Sequence, residues 1–407
     1  MPSLIRMSGR DPEQSHRGAT PLELLFDLAF VVAFGQAADQ FAHAVADDHT
    51  AVGLGGFAFA MFSICWAWIN FSWFASAFDT DDWFYRLTTM VQMVGVIVLA
   101  LGIPPLFDSL LEGDRLDNGV IVAGYVIMRV AMVVQWLRVA KQSPEHRRIA
   151  LSYVTFILIA QLGWVVLAVL DLNVATFVPF AFLLYAIELG GPIVVDRKVG
   201  SVPWHSHHIA ERYGLLAIIA FGEVVFGTVA SVASLVDHQG WSVQAGLVAF
   251  AGIGIAFGLW WTYFIAPSGD VLARQRGRVF VWGYGHVLLY TSIAAAGAGL
   301  HVVAYVIEGE SKVGVTGAVL AIAIPVLVFS LISLVLYAYL VRQWDSLHVA
   351  LLGGTIVMLV VAVMLAVLGA PIGVCLVIVT LSPAVIVVGY ETLGHRHQTA
   401  VLERILR

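Results

Sequence analysis

The sequence predicts an all-α polytopic membrane protein of about twelve transmembrane helices. They form two pseudo-repeated six-helix halves in parallel orientation, with both termini cytoplasmic. Three observations carry this. Of 407 residues, 60% are apolar and only 12% charged, about half the charged share of a soluble domain, which is too little to clothe a water-exposed surface of this size. Apolar runs of some twenty residues recur, the length a helix needs to cross a ~30 Å hydrocarbon core. The positive charges also segregate, with 17 of the 21 Lys and Arg residues on one side of the resulting topology, as the positive-inside rule requires.

The runs lie near 22–46, 52–77, 84–106, 119–140, 149–170, 174–195, 207–235, 242–265, 279–306, 315–341, 347–369 and 371–391. Residues 1–20 are polar and read as a cytoplasmic segment. The first run carries Glu23 and Asp27 and has no small-residue cleavage site, so it is a span and not a removable leader. Thr20 before Pro21 suits a helix N-cap, and Glu23 is placed to close a capping box; Asp27 lies too far into the helix for capping. With Arg6, Arg10 and Arg17 in the cytoplasm, every second loop is basic: Arg86; Arg138, Lys141, Arg147 and Arg148; Arg197 and Lys198; Arg274, Arg276 and Arg278; Arg342. The tail at 392–407 adds Arg396, Arg404 and Arg407. The opposite side holds Arg115 and Lys312, and Arg129 and Arg212 fall inside spans. Shifting the count by one helix would scramble this division.

An internal repeat supports the two halves. Val31-Val32-Ala33-Phe34-Gly35-Gln36 in span 1 resembles Ile218-Ile219-Ala220-Phe221-Gly222-Glu223 in span 7, and Trp73-Phe74 matches Trp260-Trp261 at the same offset of 187 residues. The halves are then 21–196 and 197–391. Six spans per half is an even number, so the halves share orientation, as in transporters whose parallel repeats enclose a solute site.

Ionisable residues within spans cost ~2.5–3.5 kcal/mol each on insertion scales and mark candidate sites. Asp27, Gln36, Arg129, Glu188, Glu223 and His286 form the candidate intramembrane set. Glu223 is mid-span and shares a helical face with His208, Arg212, Leu215, Ile219 and Phe226; its repeat partner Gln36 is a neutral isostere. Arg129 keeps its proton and is expected to pair with Glu223, Glu188 or Asp27, or else to contact an anion. Glu188 precedes Gly190-Gly191-Pro192, where a loosened helix end is expected. His286, with Trp282 and Tyr290 on its face, reads as a packed histidine or a proton relay. Glu23, His208, Glu211 and Arg212 form a candidate cluster at the cytoplasmic edge. With His205 and His207 nearby a metal reading arises, but the spacing fits no zincin pattern, so no metal is assigned. Asp79, Asp81, Asp82 and Arg86 form a candidate loop gate, expected to lock onto Arg274 or Arg276. Trp66, Trp68, Trp73, Trp260 and Trp261 read first as interfacial anchors, and Gly254, Gly258 and the stretch 295–299 as close helix contacts.

The chain carries no Walker loop, dinucleotide fingerprint, nucleophile elbow or HExxH motif, so no cofactor is assigned and an enzyme is the less favoured class. Cys65 and Cys375 sit in apolar runs and offer no disulfide framework. A formal charge of −6 leaves no basic excess for nucleic acid.

Three ordered motifs carry a family resemblance: Glu23-Leu-Leu-Phe26-Asp27, then Asp79-Thr80-Asp81-Asp82 through Arg86, then His208-Ile-Ala-Glu211-Arg212-Tyr-Gly214 through Gly222-Glu223. They resemble the bacterial low temperature requirement A (LtrA) family across nearly the whole chain, with Leu25 standing where a second Phe is expected. The resemblance implies a multi-pass protein of the bacterial plasma membrane, and it marks these motif positions without attaching a biochemical activity. The leading expectation is a secondary transporter or permease-like protein for a small solute or ion, with Glu223 as the proton or cation site and membrane lipid as its surroundings. The alternatives are a membrane-embedded enzyme or lipid-handling protein built on His208, Glu211 and Asp27, and a non-transporting envelope factor for growth in the cold.

Overall fold

The computed structural model describes residues 4–395 and 398, apart from 16, 114 and 345. Most of the predicted tail, including Arg396, His397, Arg404 and Arg407, lies outside the described residues. Within them the chain is helical throughout: α1 (Pro21–Ala46), α2 (Thr50–Phe78), α3 (Trp83–Leu101), α4 (Ile103–Glu112), α5 (Gly119–Gln142), α6 (Arg147–Val169), α7 (Val174–Lys198), α8 (Ser206–Gln239), α9 (Val243–Phe264), α10 (Ser268–Arg274), α11 (Val279–Glu308), α12 (Gly314–Val341), α13 (Ser346–Val367) and α14 (Ile372–Gly389). Twelve segments are long and apolar enough to cross a membrane, each coinciding with one of the twelve runs. The chain is a multi-pass integral membrane protein.

Local chemistry sets the helix ends. Thr20 and Glu23 form the expected capping box: the Thr20 amide donates to Glu23 Oε2 at 2.8 Å and the Glu23 amide to Thr20 Oγ1 at 3.2 Å. Asp82 caps α3 through the Tyr85 amide at 2.9 Å, and Asn173 caps α7 through the Thr176 amide at 2.9 Å. The third run breaks at Gly102, because Pro104 and Pro105 withhold the amides that would extend α3, and α4 starts afresh. The loosening expected at Gly190-Gly191-Pro192 does not occur, since α7 runs through it to Lys198.

The chain divides into two compact units. Unit 1 comprises Met1–Ala37 and Phe62–Arg212; in it α3 packs on α5, α5 on α6 and α6 on α7. The α3–α5 contact is backbone to backbone. A Cβ at Gly124 would lie 2.4 Å from the Leu99 amide nitrogen and 2.6 Å from the Gly95 carbonyl oxygen, so only glycine permits the approach. On α7 a single stripe is buried (Phe177, Ala181, Leu184, Glu188, Gly191, Val195), while Phe182 on the other face is 66% exposed, a surface suited to lipid and not to water.

Unit 2 comprises Ala38–Met61 and Tyr213–Arg407; α11 packs on α12, α12 on α13, α13 on α14 and α14 on α9. Its most enclosed helix is α11, buried along most of its length. The small residues mark close contacts as expected: Gly254 abuts Thr380 and Gly258 abuts Pro383, so that a Cβ would come within 2.5 and 2.7 Å.

The polar residues before α1 are not a free tail. Met7 is fully buried and Arg17 nearly so. The Arg10 amide donates to the Ala77 carbonyl at 2.9 Å, and the Met7 amide to Gln142 Oε1 at 2.8 Å. Arg17 donates to the Ser76 and Ala75 carbonyls, which satisfies the last carbonyls of α2. The segment thereby straps the ends of α2 and α5 within unit 1.

Candidate functional site

In unit 1 the first and third motifs converge. Glu23 and Asp27, one turn apart on α1, face His208 and Arg212, one turn apart on α8. Arg212 reaches Glu23 Oε1 at 2.8 Å and Asp27 Oδ1 at 2.5 Å, and His208 Nε2 lies 3.2 Å from Glu23 Oε1. The Trp68 indole donates to Asp27 Oδ1 at 2.6 Å. All four ionisable side chains are at most 1% exposed. One guanidinium thus bridges two carboxylates, and the indole adds a neutral donor, which is the way a low-dielectric interior tolerates charge. Glu211 does not join them: it is exposed, and its carboxylate accepts from the Ala19 amide at 3.3 Å. His205 is taken up locally, with Nε2 on the Gln14 carbonyl at 2.8 Å and Nδ1 accepting from the His208 amide at 3.2 Å.

A second buried pair repeats the design. Arg129 Nη2 donates to Glu188 Oε2 at 2.9 Å and to the Tyr125 hydroxyl at 2.8 Å, and the Trp66 indole donates to Glu188 Oε2 at 2.6 Å. Of the three carboxylates proposed for Arg129, its partner is therefore Glu188. Trp66 and Trp68 are two residues apart, so they leave α2 on nearly opposite faces and serve one ion pair each. Their expected role as interfacial anchors is replaced by this buried one. The available signal was an indole, an apolar body with one donor, two residues from another in a span without carboxylates of its own.

The loop at 79–86 finds its cations in unit 1, where the sequence pointed to Arg274 or Arg276. Asp79 Oδ2 meets Arg10 at 3.4 Å, exposed Asp81 pairs with Arg86 at 2.8 Å, and Asp82 takes Arg138. The same Arg138 donates to the Ile5 carbonyl at 2.8 Å, and the Ile5 amide donates to Asp82 at 3.2 Å, so the loop clamps the N-terminal strap. Burial raises the Asp79 carboxyl to about 6, the nearby Glu23 charge adding to it and Arg10 only partly offsetting it. At Asp82 burial is outweighed by the Arg138 hydrogen bond, which holds the carboxyl below its usual range. Burial, aided by Arg10, lowers the Arg17 guanidinium to about 10.

Unit 2 contains Glu223, which is 2% exposed and whose Oε1, like Glu23 Oε1 and Asp27 Oδ2, has no hydrogen-bond partner. What sets it apart is charge: among the described residues no Lys, Arg or His forms an ion pair with it. The helix α11 presses directly on it, since a Cβ at Gly297 would lie 2.6 Å from the Glu223 carbonyl carbon. The predicted stripe is unevenly buried: His208 and Arg212 are fully buried, while Phe226 is 56% exposed. The buried side of α8 beyond Glu223 carries Thr228, Ser231 and Ser234, whose hydroxyls donate to the Val224, Leu300 and Ala304 carbonyls. Gln36 is half-buried on the unit 1 part of α1.

His286 is a packed histidine. Its Nδ1 donates to the Trp282 carbonyl at 2.8 Å and its Nε2 accepts from the Tyr263 hydroxyl at 3.1 Å, with Trp282, Tyr213, Tyr263 and Tyr290 rings around it. It borders a cavity of about 90 Å³ that Leu336, Leu340, Leu351 and Tyr390 also line.

The sequence profile of the bacterial low temperature requirement A protein (LtrA) family matches residues 18–383. An uncharacterized protein of Rhizobium meliloti (strain 1021) is 23% identical over 294 residues, covering 68% of this chain and 67% of that one. No solved structure matches. The matched stretch includes both halves of the α1–α8 ion cluster, the loop at 79–86 and Glu223. The chain belongs to the LtrA family.

Proposed function

We propose that the chain is a secondary transporter or permease-like protein for a small solute or ion in the bacterial plasma membrane. In this reading the segments 21–196 and 197–391 are parallel repeats, both termini are cytoplasmic, and Glu223 is the working carboxylate. The single observation that carries it is the isolation of Glu223. Glu23, Asp27 and Glu188 are similarly buried and each has an arginine, whereas among the described residues Glu223 has none. A buried carboxylate left without a counter-charge costs several kcal/mol, so a chain that supplies arginines elsewhere and withholds one here keeps a site for an exchangeable cation or proton.

The packing order lends support to the repeat. In unit 1 contacts run α3–α5–α6–α7, and in unit 2 α11–α12–α13–α14, the same succession counted from the two motif-bearing helices α1 and α8. Gln36 and Glu223 then occupy corresponding positions, one amide and one acid.

The test is flux in proteoliposomes across a broad screen of small solutes and ions. Glu223→Gln is expected to abolish coupled flux in protein that remains folded; flux indifferent to Glu223→Gln contradicts the assignment.

A further inference from the structure

In unit 2 one stripe of α11 runs from beside Glu223 toward the C-terminal end of that helix. On α11, Gly297, His301 and Tyr305 are spaced four apart and so form one stripe. Gly297 lies against Glu223. Two turns on, the Tyr305 hydroxyl donates to Asp39 Oδ1 at 3.4 Å and lies 3.1 Å from His43 Nε2, and the His43 ring stacks on Tyr305 at 4.7 Å. Asp39 and His43 are one turn apart on α1, with Oδ1 and Nε2 3.8 Å apart, and both side chains are partly exposed. His301, midway along that stripe between Gly297 and Tyr305, is half-buried. Two other contacts on the unit 2 part of α8 are uncharged: α9 meets it through Gly252 against Thr228, and α12 through Phe329 against Phe221.

We propose that the ligand of Glu223 is a proton, exchanged through His301 and the Asp39–His43–Tyr305 cluster with the compartment beside the α1–α2 loop. This rests on the transport reading of Glu223 and specifies its coupling ion. A hard metal cation takes about six or more oxygen ligands. Along α8 the next side-chain oxygens, those of Thr228, Ser231 and Ser234, lie more than one to about three turns from Glu223, and no group of three His, Cys, Asp or Glu among the described residues could hold a metal. A proton needs one carboxylate oxygen, and Glu223 Oε1 is buried and unpartnered. The groups leading outward, imidazole, phenol and carboxylate, are of the kinds that take up and release protons.

The full chain in sealed vesicles, oriented with the α1–α2 loop outward, is treated with dicyclohexylcarbodiimide, which adds to a protonated carboxyl to leave an acylurea. Labelling at Glu223 is read by peptide mass spectrometry while the outer pH is stepped from about 5 to about 9, the range of carboxyls shifted by burial. Labelling is expected to fall about tenfold per pH unit above its midpoint, to follow the outer compartment alone, and to be unaffected by excess sodium. In Asp39→Cys protein, a bulky thiol-reactive sulfonate added outside is expected to abolish the response. Labelling that ignores pH, that follows the inner compartment, that sodium suppresses, or that persists after the Asp39→Cys block overturns the proposal. The two readings fail separately. A titrating Glu223 in a chain whose flux ignores Glu223→Gln removes the transporter and keeps the proton site; flux lost without titration does the reverse.

Discussion

At the scale of single residues, neutralisation separates the buried acids. Arg212 holds Glu23 and Asp27, Arg129 holds Glu188, and Trp68 and Trp66 donate to the two carboxylates that need a further partner. Asp79 is an intermediate case, because burial wins over a long contact with Arg10 and raises its carboxyl to about 6. The folded value lies above the unfolded one, so its contribution to stability is complete below about pH 4 and is lost as pH rises through about 6. At neutral pH the ionised form costs at most about 3 kcal/mol. Asp79→Asn should therefore raise thermal stability at pH 7.5 and change it little at pH 4.5, measured by unfolding in detergent. A loss at pH 7.5 would mean that the Arg10 pair outweighs burial.

At the scale of elements, glycines set how closely helices approach. Between α3 and α5 the Gly95–Gly124 contact leaves no room for a β-carbon. Gly124→Leu must force the two backbones apart and is expected to cost at least ~1–3 kcal/mol, the range of overpacked cores. Gly190, on α7, has open space where its Cβ would lie. Gly190→Ala should be neutral or gain up to about 1 kcal/mol through helix propensity. Unfolding both proteins under one condition checks the contrast, and equal losses would refute the packing argument.

At the scale of the whole molecule, much of the architecture is written in local pattern. The twelve runs needed only hydropathy and length, the Thr20–Glu23 box needed adjacent residues, and Gly254 and Gly258 announced a helix contact by their spacing. Partner choice was less legible. Arg129 had three candidate carboxylates, and the one it meets lies 59 residues away on α7, a matter of how two helices are rotated against each other. The buried roles of Trp66 and Trp68 depend on the same rotations. The strap before α1 looked like a polar tail because its partners, Asp79, Asp82, Arg138 and Gln142, come from distant segments. Glu188 is held by an arginine and, among the described residues, Glu223 is not, and paired thermal unfolding of Glu188→Gln and Glu223→Gln tests this contrast most directly. Glu188→Gln leaves Arg129 buried without its counter-charge and should lose about 3–5 kcal/mol, while Glu223→Gln removes an unpaired buried acid and should leave stability unchanged or raised. Equal losses in the two proteins, or a larger loss in Glu223→Gln, would contradict the account.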